Sequence, residues 1–160
     1  MSARAFPKLR FVKTWMPSKG WRVGLNSRIP PGLRRGSQAL PSEITRFDAS
    51  GFVDVWARYV GTLSLGPTTL LHGDAHIENT YVLPDNKVGF LDWQVVRRGE
   101  WSQDIGYFLI SALTPEDRRA NEKSLLEEYR GALTIPNHER PSAETVWQRY
   151  CATPGYGLPI

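Results

Sequence analysis

The stretch "LLHGDAHIENTYVL" places His72, Asp74, His76 and Asn79 within a few residues of one another, between two apolar flanks. Asp92 and Asp104 follow, and Glu78 and Asp85 add two further acids. Three chemistries use such residues. A zinc site of the HExxH kind needs two histidines four apart on a helix, with a glutamate after the first. Here the order is H-G-D-A-H, with Gly73 inside and β-prone flanks, so that site is not expected. A Ser-His-Asp nucleophile needs a serine on a sharp strand-to-helix turn, and no G-x-S-x-G elbow occurs. Phosphoryl transfer needs a carboxylate to orient a hydroxyl and take its proton, together with hard oxygen ligands for magnesium. Asp74, with Asn79 five residues on, offers a base and an oxygen ligand, and Asp92 offers a second carboxylate.

Those residues act together only if the chain folds back between Asn79 and Asp92. "TYVL" (80–83) and "VGFLDW" (88–93) are β-prone, and "PDNK" (84–87) is turn chemistry, so 80–92 is predicted to be a hairpin. Asn79 enters it and Asp92 leaves it, and the two ends of an antiparallel pair are neighbours. "TTLL" (68–71) reads as a short strand before the loop. Phe52, Val53, Trp56, Tyr59, Val60 and Leu63 recur at helical spacing. The apolar run from Ile105 to Leu113 reads as a buried helix. "TPED" (114–117) starts another, with Thr114 as cap, Pro115 at the first helical position and acids in the first turn. Ser142 caps a last helix that buries Val146, Trp147 and Tyr150 and carries Cys151 as a small hydrophobe. The resulting class is α+β, mostly helical with a small β-hairpin carrying the loop.

The spacing also carries a resemblance. His72-Gly73-Asp74-Ala75-His76-Ile77-Glu78-Asn79, then Leu91-Asp92-Trp93, then Asp104-Ile105-Gly106, is similar to the catalytic core of the aminoglycoside phosphotransferase and choline kinase-like family. Its hallmark is H-G-D-x-H-x-x-N, a strand ending in D-W or D-F, then D-[LI]-[GA]. The resemblance covers residues 50 to 155 and implies the C-terminal lobe of a protein-kinase-like fold. It implies a phosphotransferase that moves the γ-phosphoryl group of ATP to a hydroxyl of a small molecule. Asp74 would be the catalytic carboxylate. Asn79 and Asp92 would hold Mg2+ and, through it, the ATP phosphates. His72, His76 and Asp104 would support the loop, with proximity to phosphate open for His76. Glu78 and Asp85 have no motif role and are expected to be solvated.

The sequence departs from that family before residue 70. No G-x-G-x-x-G loop occurs, and Lys13 in "LRFVKTW" has no glycine loop upstream. An ATP-gripping N-terminal lobe is therefore expected to be absent, with the kinase-like region, 47–160, cut short at both ends. Three explanations stand open: a truncated reading frame, a subunit whose N-lobe comes from another chain, and an inactive relative that serves as a binding or scaffold module. Residues 1–46 hold ten Lys/Arg against the single acid Glu43, and Pro17, Gly20, Gly24, Pro30, Pro31, Gly32, Gly36 and Pro41 interrupt them. An irregular basic segment is expected there, with Trp15 and Trp21 available for packing. The remaining residues hold ten Lys/Arg against fifteen acids, so the overall charge is +4. The spread-out basic residues favour a solvated surface over a nucleic-acid arm, and the acidic remainder is compatible with a cationic acceptor. One cysteine excludes a disulfide framework. No apolar run is long enough to span a bilayer and no secretory h-region is present, so a cytoplasmic location is expected.

Overall fold

A computed structural model describes residues 19–46, 48–63 and 66–153. It begins with helix α1 (Lys19–Gly36), a short α2 (Ser42–Thr45) and α3 (Ala49–Leu63). Strand β1 (Thr69–Leu71) leads into the polar loop, which ends in a 3-10 turn at Ile77–Asn79. Strands β2 (Thr80–Val82) and β3 (Val88–Phe90) follow, then a 3-10 turn at Trp93–Val95 and β4 (Arg97–Gly99). Helices α4 (Ser102–Ala112), α5 (Pro115–Ala132) and α6 (Ala143–Ala152) follow. The fold is mostly helical, with two small antiparallel pairs.

The expected hairpin is present, with Thr80 opposite Phe90 and Val82 opposite Val88. Its turn is closed by the Leu83 N–H to the Lys87 carbonyl at 2.8 Å, and Asn86 takes the left-handed conformation at φ 60°. Asparagine tolerates that conformation better than most residues. The second pair joins β1 to β4, with Leu71 opposite Arg97 and Thr69 opposite Gly99. "TTLL" was readable as a strand, but its partner in "VVRRGE" was not.

Two cores hold the helices. α4, α5 and α6 enclose Leu109, Leu126, Val146 and Tyr150, with Trp101, Ile105, Phe108 and Trp147 packed around them. The caps are those that local chemistry dictates. Thr114 accepts the Asp117 N–H at 3.1 Å and Ser142 accepts the Thr145 N–H at 3.1 Å. The other core joins Leu25 and Ile29 of α1 to Val53, Trp56, Ala57, Val60 and Leu63 of α3.

Within residues 1–46, expected to be irregular, that core corrects the expectation over the described part from Lys19 to Gly36. Lys19–Gly36 is helical although it contains Pro30 and Pro31. Leu25, Ile29 and Leu33 lie four residues apart and form a stripe against α3. A proline in a helix interior costs ~3 kcal/mol, whereas burying a leucine or isoleucine returns roughly 1.5–3 kcal/mol each. Packing thus offsets a poor local propensity. Lys13, Trp15 and Pro17 lie outside the described residues, as does the side chain of Trp21. Cys151 is on α6, but it is exposed rather than a buried hydrophobe.

Candidate active site

The loop between β1 and β2 is fixed largely through its backbone. Asp104, in the first turn of α4, accepts the N–H of His72 at 2.7 Å and that of Gly73 at 3.0 Å. Burial raises the Asp104 pKa, while those two N–H groups and the nearby Arg97 charge oppose the rise. On the other side of the same residue, Arg97 Nη1 donates to the Gly73 carbonyl at 2.9 Å. Gly73 has φ +91°, and a Cβ there would lie 2.2 Å from Arg97 Nη1 and 2.5 Å from the Val95 carbonyl. Only glycine fits this turn.

His72 is buried, with its ring against Phe90 and Trp93 at centroid distances of 5.3 and 4.6 Å. Its Nε2 lies 2.7 Å from the Leu91 carbonyl, and its Nδ1 accepts the Asp74 N–H at 3.3 Å. These partners assign the proton to Nε2 and occupy both ring nitrogens. His76 is more open. Its ring nitrogens lie 3.8 Å from carboxylate oxygens of Asp74 and of Glu78, and its ring meets Tyr107 edge-on. Burial, and then the charges of Asp74 and Glu78, raise the Tyr107 pKa.

Asn79 is buried at the end of the 3-10 turn. Its Nδ2 donates to the Asp74 carbonyl at 2.9 Å and approaches Asp74 Oδ2 at 3.4 Å. That assignment turns the amide oxygen to the opposite side as an acceptor. The Asn79 carbonyl accepts the Leu91 N–H at 3.0 Å. Leu91 thus joins the loop through both of its backbone groups, the N–H to Asn79 and the carbonyl to His72. The next residue, Asp92, is exposed and left-handed, at φ 59° and ψ 60°. Its Oδ2 accepts from Gln94 Nε2 at 3.3 Å.

The structure therefore brings Asp74 and Asn79 into contact and sets Asp92 next to Leu91, whose backbone bonds Asn79 and His72. Glu78 is exposed, and Asp85 sits at the hairpin tip, where a hydrogen bond from Lys87 lowers its pKa. Among the described residues, no three or more His, Cys, Asp or Glu side chains gather to hold a metal ion. A zinc site has no ligand set there, whereas the Asn79 amide oxygen and the Asp92 carboxylate are hard donors of the kind Mg2+ takes. Sequence reasoning passed over Tyr107 and Arg97. "RRG" gives no sign that Arg97 is buried, with 6% of its surface exposed, while Arg98 beside it is not.

Comparison with known proteins adds the family. Residues 49–137, more than half of the chain, match the model of the Ecdysteroid kinase-like family. The chain belongs to the ecdysteroid kinase-like family. The matched ecdysteroid kinase-like segment runs from α3 through α5 and contains His72, Asp74, His76, Asn79, Asp92 and Asp104. Among solved structures, the chain is similar to the aminoglycoside phosphotransferase APH(3'')-Id from Streptomyces rimosus. That match is 19% identical over 89% of this chain and 53% of the other, with a TM-score of 0.48. The same enzyme in complex with ADP and streptomycin gives 17% identity over 89% and 54%, with a TM-score of 0.49. An aminoglycoside-3'-phosphotransferase of type VIII gives 17% identity over 84% and 50%, with a TM-score of 0.46. The chain spans about half the length of these structures. No curated protein matches it.

Proposed function

We propose that the loop from His72 to Asn79, with Asp92, is the phosphoryl-transfer site of a small-molecule kinase, carried on a kinase-like C-terminal lobe. The donor would be ATP with Mg2+, and the acceptor a hydroxyl of a small molecule. The observation that carries this reading is the grip of Asn79 on Asp74, with Leu91, the neighbour of Asp92, bonded to Asn79 through its N–H and to His72 through its carbonyl. Membership of the ecdysteroid kinase-like family supports a kinase.

In this mechanism Asp74 accepts a hydrogen bond from the acceptor hydroxyl and takes its proton as the oxygen attacks the γ-phosphorus of ATP, while the bond from that phosphorus to the β–γ bridging oxygen breaks and ADP leaves. Its carboxylate is partly exposed, so a substrate can reach it, and its backbone is fixed by His72 and Asn79. The Asn79 amide oxygen and the Asp92 carboxylate would hold Mg2+. When bound, the ion supplies positive charge that offsets the charge on the phosphate oxygens. Asp74 and Glu78, each with a carboxylate oxygen 3.8 Å from His76, put negative charge beside the loop and would favour an acceptor carrying a positive charge.

The test is transfer itself. The protein is incubated with Mg·ATP and a panel of small hydroxyl compounds, and phosphorylated product is followed by mass spectrometry. Product is expected with at least one compound, reduced ~10²–10⁴-fold in Asp74→Asn. Turnover that Asp74→Asn leaves intact would sink the reading. A second reading, a non-catalytic binding module, draws support from Val82 and Val88 of the hairpin, 69% and 59% exposed, and from exposed Trp93. It expects no transfer to any acceptor.

A further inference from the structure

Arg97 stands outside the roles assigned so far, yet it is built into the loop more firmly than any other cation described. The register of β1 and β4 sets it opposite Leu71, the residue just before His72. Its side chain is buried, and Nη1 reaches the Gly73 carbonyl at 2.9 Å. Asp104 holds the N–H of the same residue from the α4 side at 3.0 Å. The two charges also sense one another, since Arg97 opposes the burial-driven rise in the Asp104 pKa. The Gly73 residue is thus clamped at both polar groups by side chains of opposite charge, and the next residue is Asp74.

We infer that Arg97 is a positioning residue: its guanidinium holds the Gly73 carbonyl and so sets the direction in which Asp74 leaves the turn. The inference rests on the phosphotransferase reading only for its effect on turnover. The clamp itself is a matter of loop geometry. A planar, always-charged fork suits the task, because it bonds a carbonyl in a buried place without losing its charge. A lysine would keep the charge but not the fork. A methionine would keep much of the stem packing and lose both. The left-handed turn at Gly73 makes the clamp consequential, because glycine has wide backbone freedom once its carbonyl is released.

Hydrogen exchange by NMR and turnover are measured together on the wild type, Arg97→Lys and Arg97→Met. Released from the clamp, the amides of His72, Gly73 and Asp74 are expected to exchange about tenfold faster or more in Arg97→Met, while those of Leu125 and Leu126 in α5 keep their rates. kcat for phosphoryl transfer is expected to fall about 30-fold, with KM for Mg·ATP changed less than about threefold, the pattern of a lost orientation. Arg97→Lys should fall between, and it carries the test if Arg97→Met does not fold. Loop amides that exchange no faster, or that speed up only as much as those of α5, overturn the inference. So does an unchanged kcat in an active enzyme with a loosened loop. A wild type without any transfer activity would instead count against the proposed function, and the exchange rates would still decide whether Arg97 fixes the loop.

Discussion

The carboxylate of Asp104 accepts the backbone N–H of Gly73 at 3.0 Å, across 31 residues of chain. With its second oxygen on the His72 N–H, it ties the first turn of α4 to the turn that precedes Asp74. Helix and loop are thereby tied together, and Asp104 braces the turn from outside it.

Removing that carboxylate leaves two backbone donors without their acceptor in a poorly hydrated place. Asp104→Ala should cost about 2–6 kcal/mol, at roughly 1–3 kcal/mol per orphaned group. Asp104→Asn should cost less, since its amide oxygen can keep one bond. Urea unfolding of the three proteins checks the order, and equal midpoints would contradict it.

Gly73 gives a separate prediction. Gly73→Ala places a methyl group 2.2 Å from Arg97 Nη1 and 2.5 Å from the Val95 carbonyl, at φ +91°. Arg97 can yield, but the backbone oxygen cannot do so cheaply. A loss of about 2–4 kcal/mol is expected from strain and contact combined. Thermal unfolding measures it.

Glu100 makes the stability depend on pH in a defined direction. It is buried, accepts the Ser102 N–H at 3.1 Å and the Ser102 hydroxyl, and burial raises its pKa above the ordinary 4.5. A carboxylate raised in the folded state binds a proton more readily there than in the unfolded chain. The stability from that uptake is fully present below 4.5 and is lost as pH rises through the folded value. Melting temperatures of wild type and Glu100→Gln, followed from pH 7 down to 4.5, should therefore shift in favour of wild type on acidification. Parallel curves would contradict the assignment.

At Asp92 the proposed function and stability pull in opposite directions. A non-glycine residue in the left-handed region costs of order 1 kcal/mol. Asp92→Gly should relieve that strain and stabilise the fold by about 0.5–1 kcal/mol, while removing the carboxylate proposed to hold Mg2+. A chemical-denaturation curve that moves the other way would show that the Asp92 side chain holds the turn.

The parts of the fold that could be read from the sequence are those whose causes are local. Thr114 and Ser142 announce their helices because a cap needs only the next turn. The hairpin follows from "PDNK" between two β-prone runs, and the meeting of Asn79 with Leu91 follows from the hairpin. Asp104 was readable as a brace only through family likeness, since nothing near it in sequence points to residues 72 and 73. Helix α1 was hidden because its prolines argue against it and its reason for existing, the α3 face, lies elsewhere. Arg97 was hidden for the same reason. Its burial depends on β1, and neither Val96 nor Arg98 reports on that pairing.

The most direct test of the central claim is calorimetric titration of the protein with ATP, with and without Mg2+, in wild type, Asp92→Ala and Asp74→Asn. Magnesium-dependent binding is expected in the wild type. It should persist in Asp74→Asn, whose loss is in transfer, and weaken about tenfold or more in Asp92→Ala, as removal of one of two protein ligands should do. Binding that is absent in the wild type, or that Asp92→Ala leaves unchanged, would contradict a Mg·ATP site built on Asn79 and Asp92.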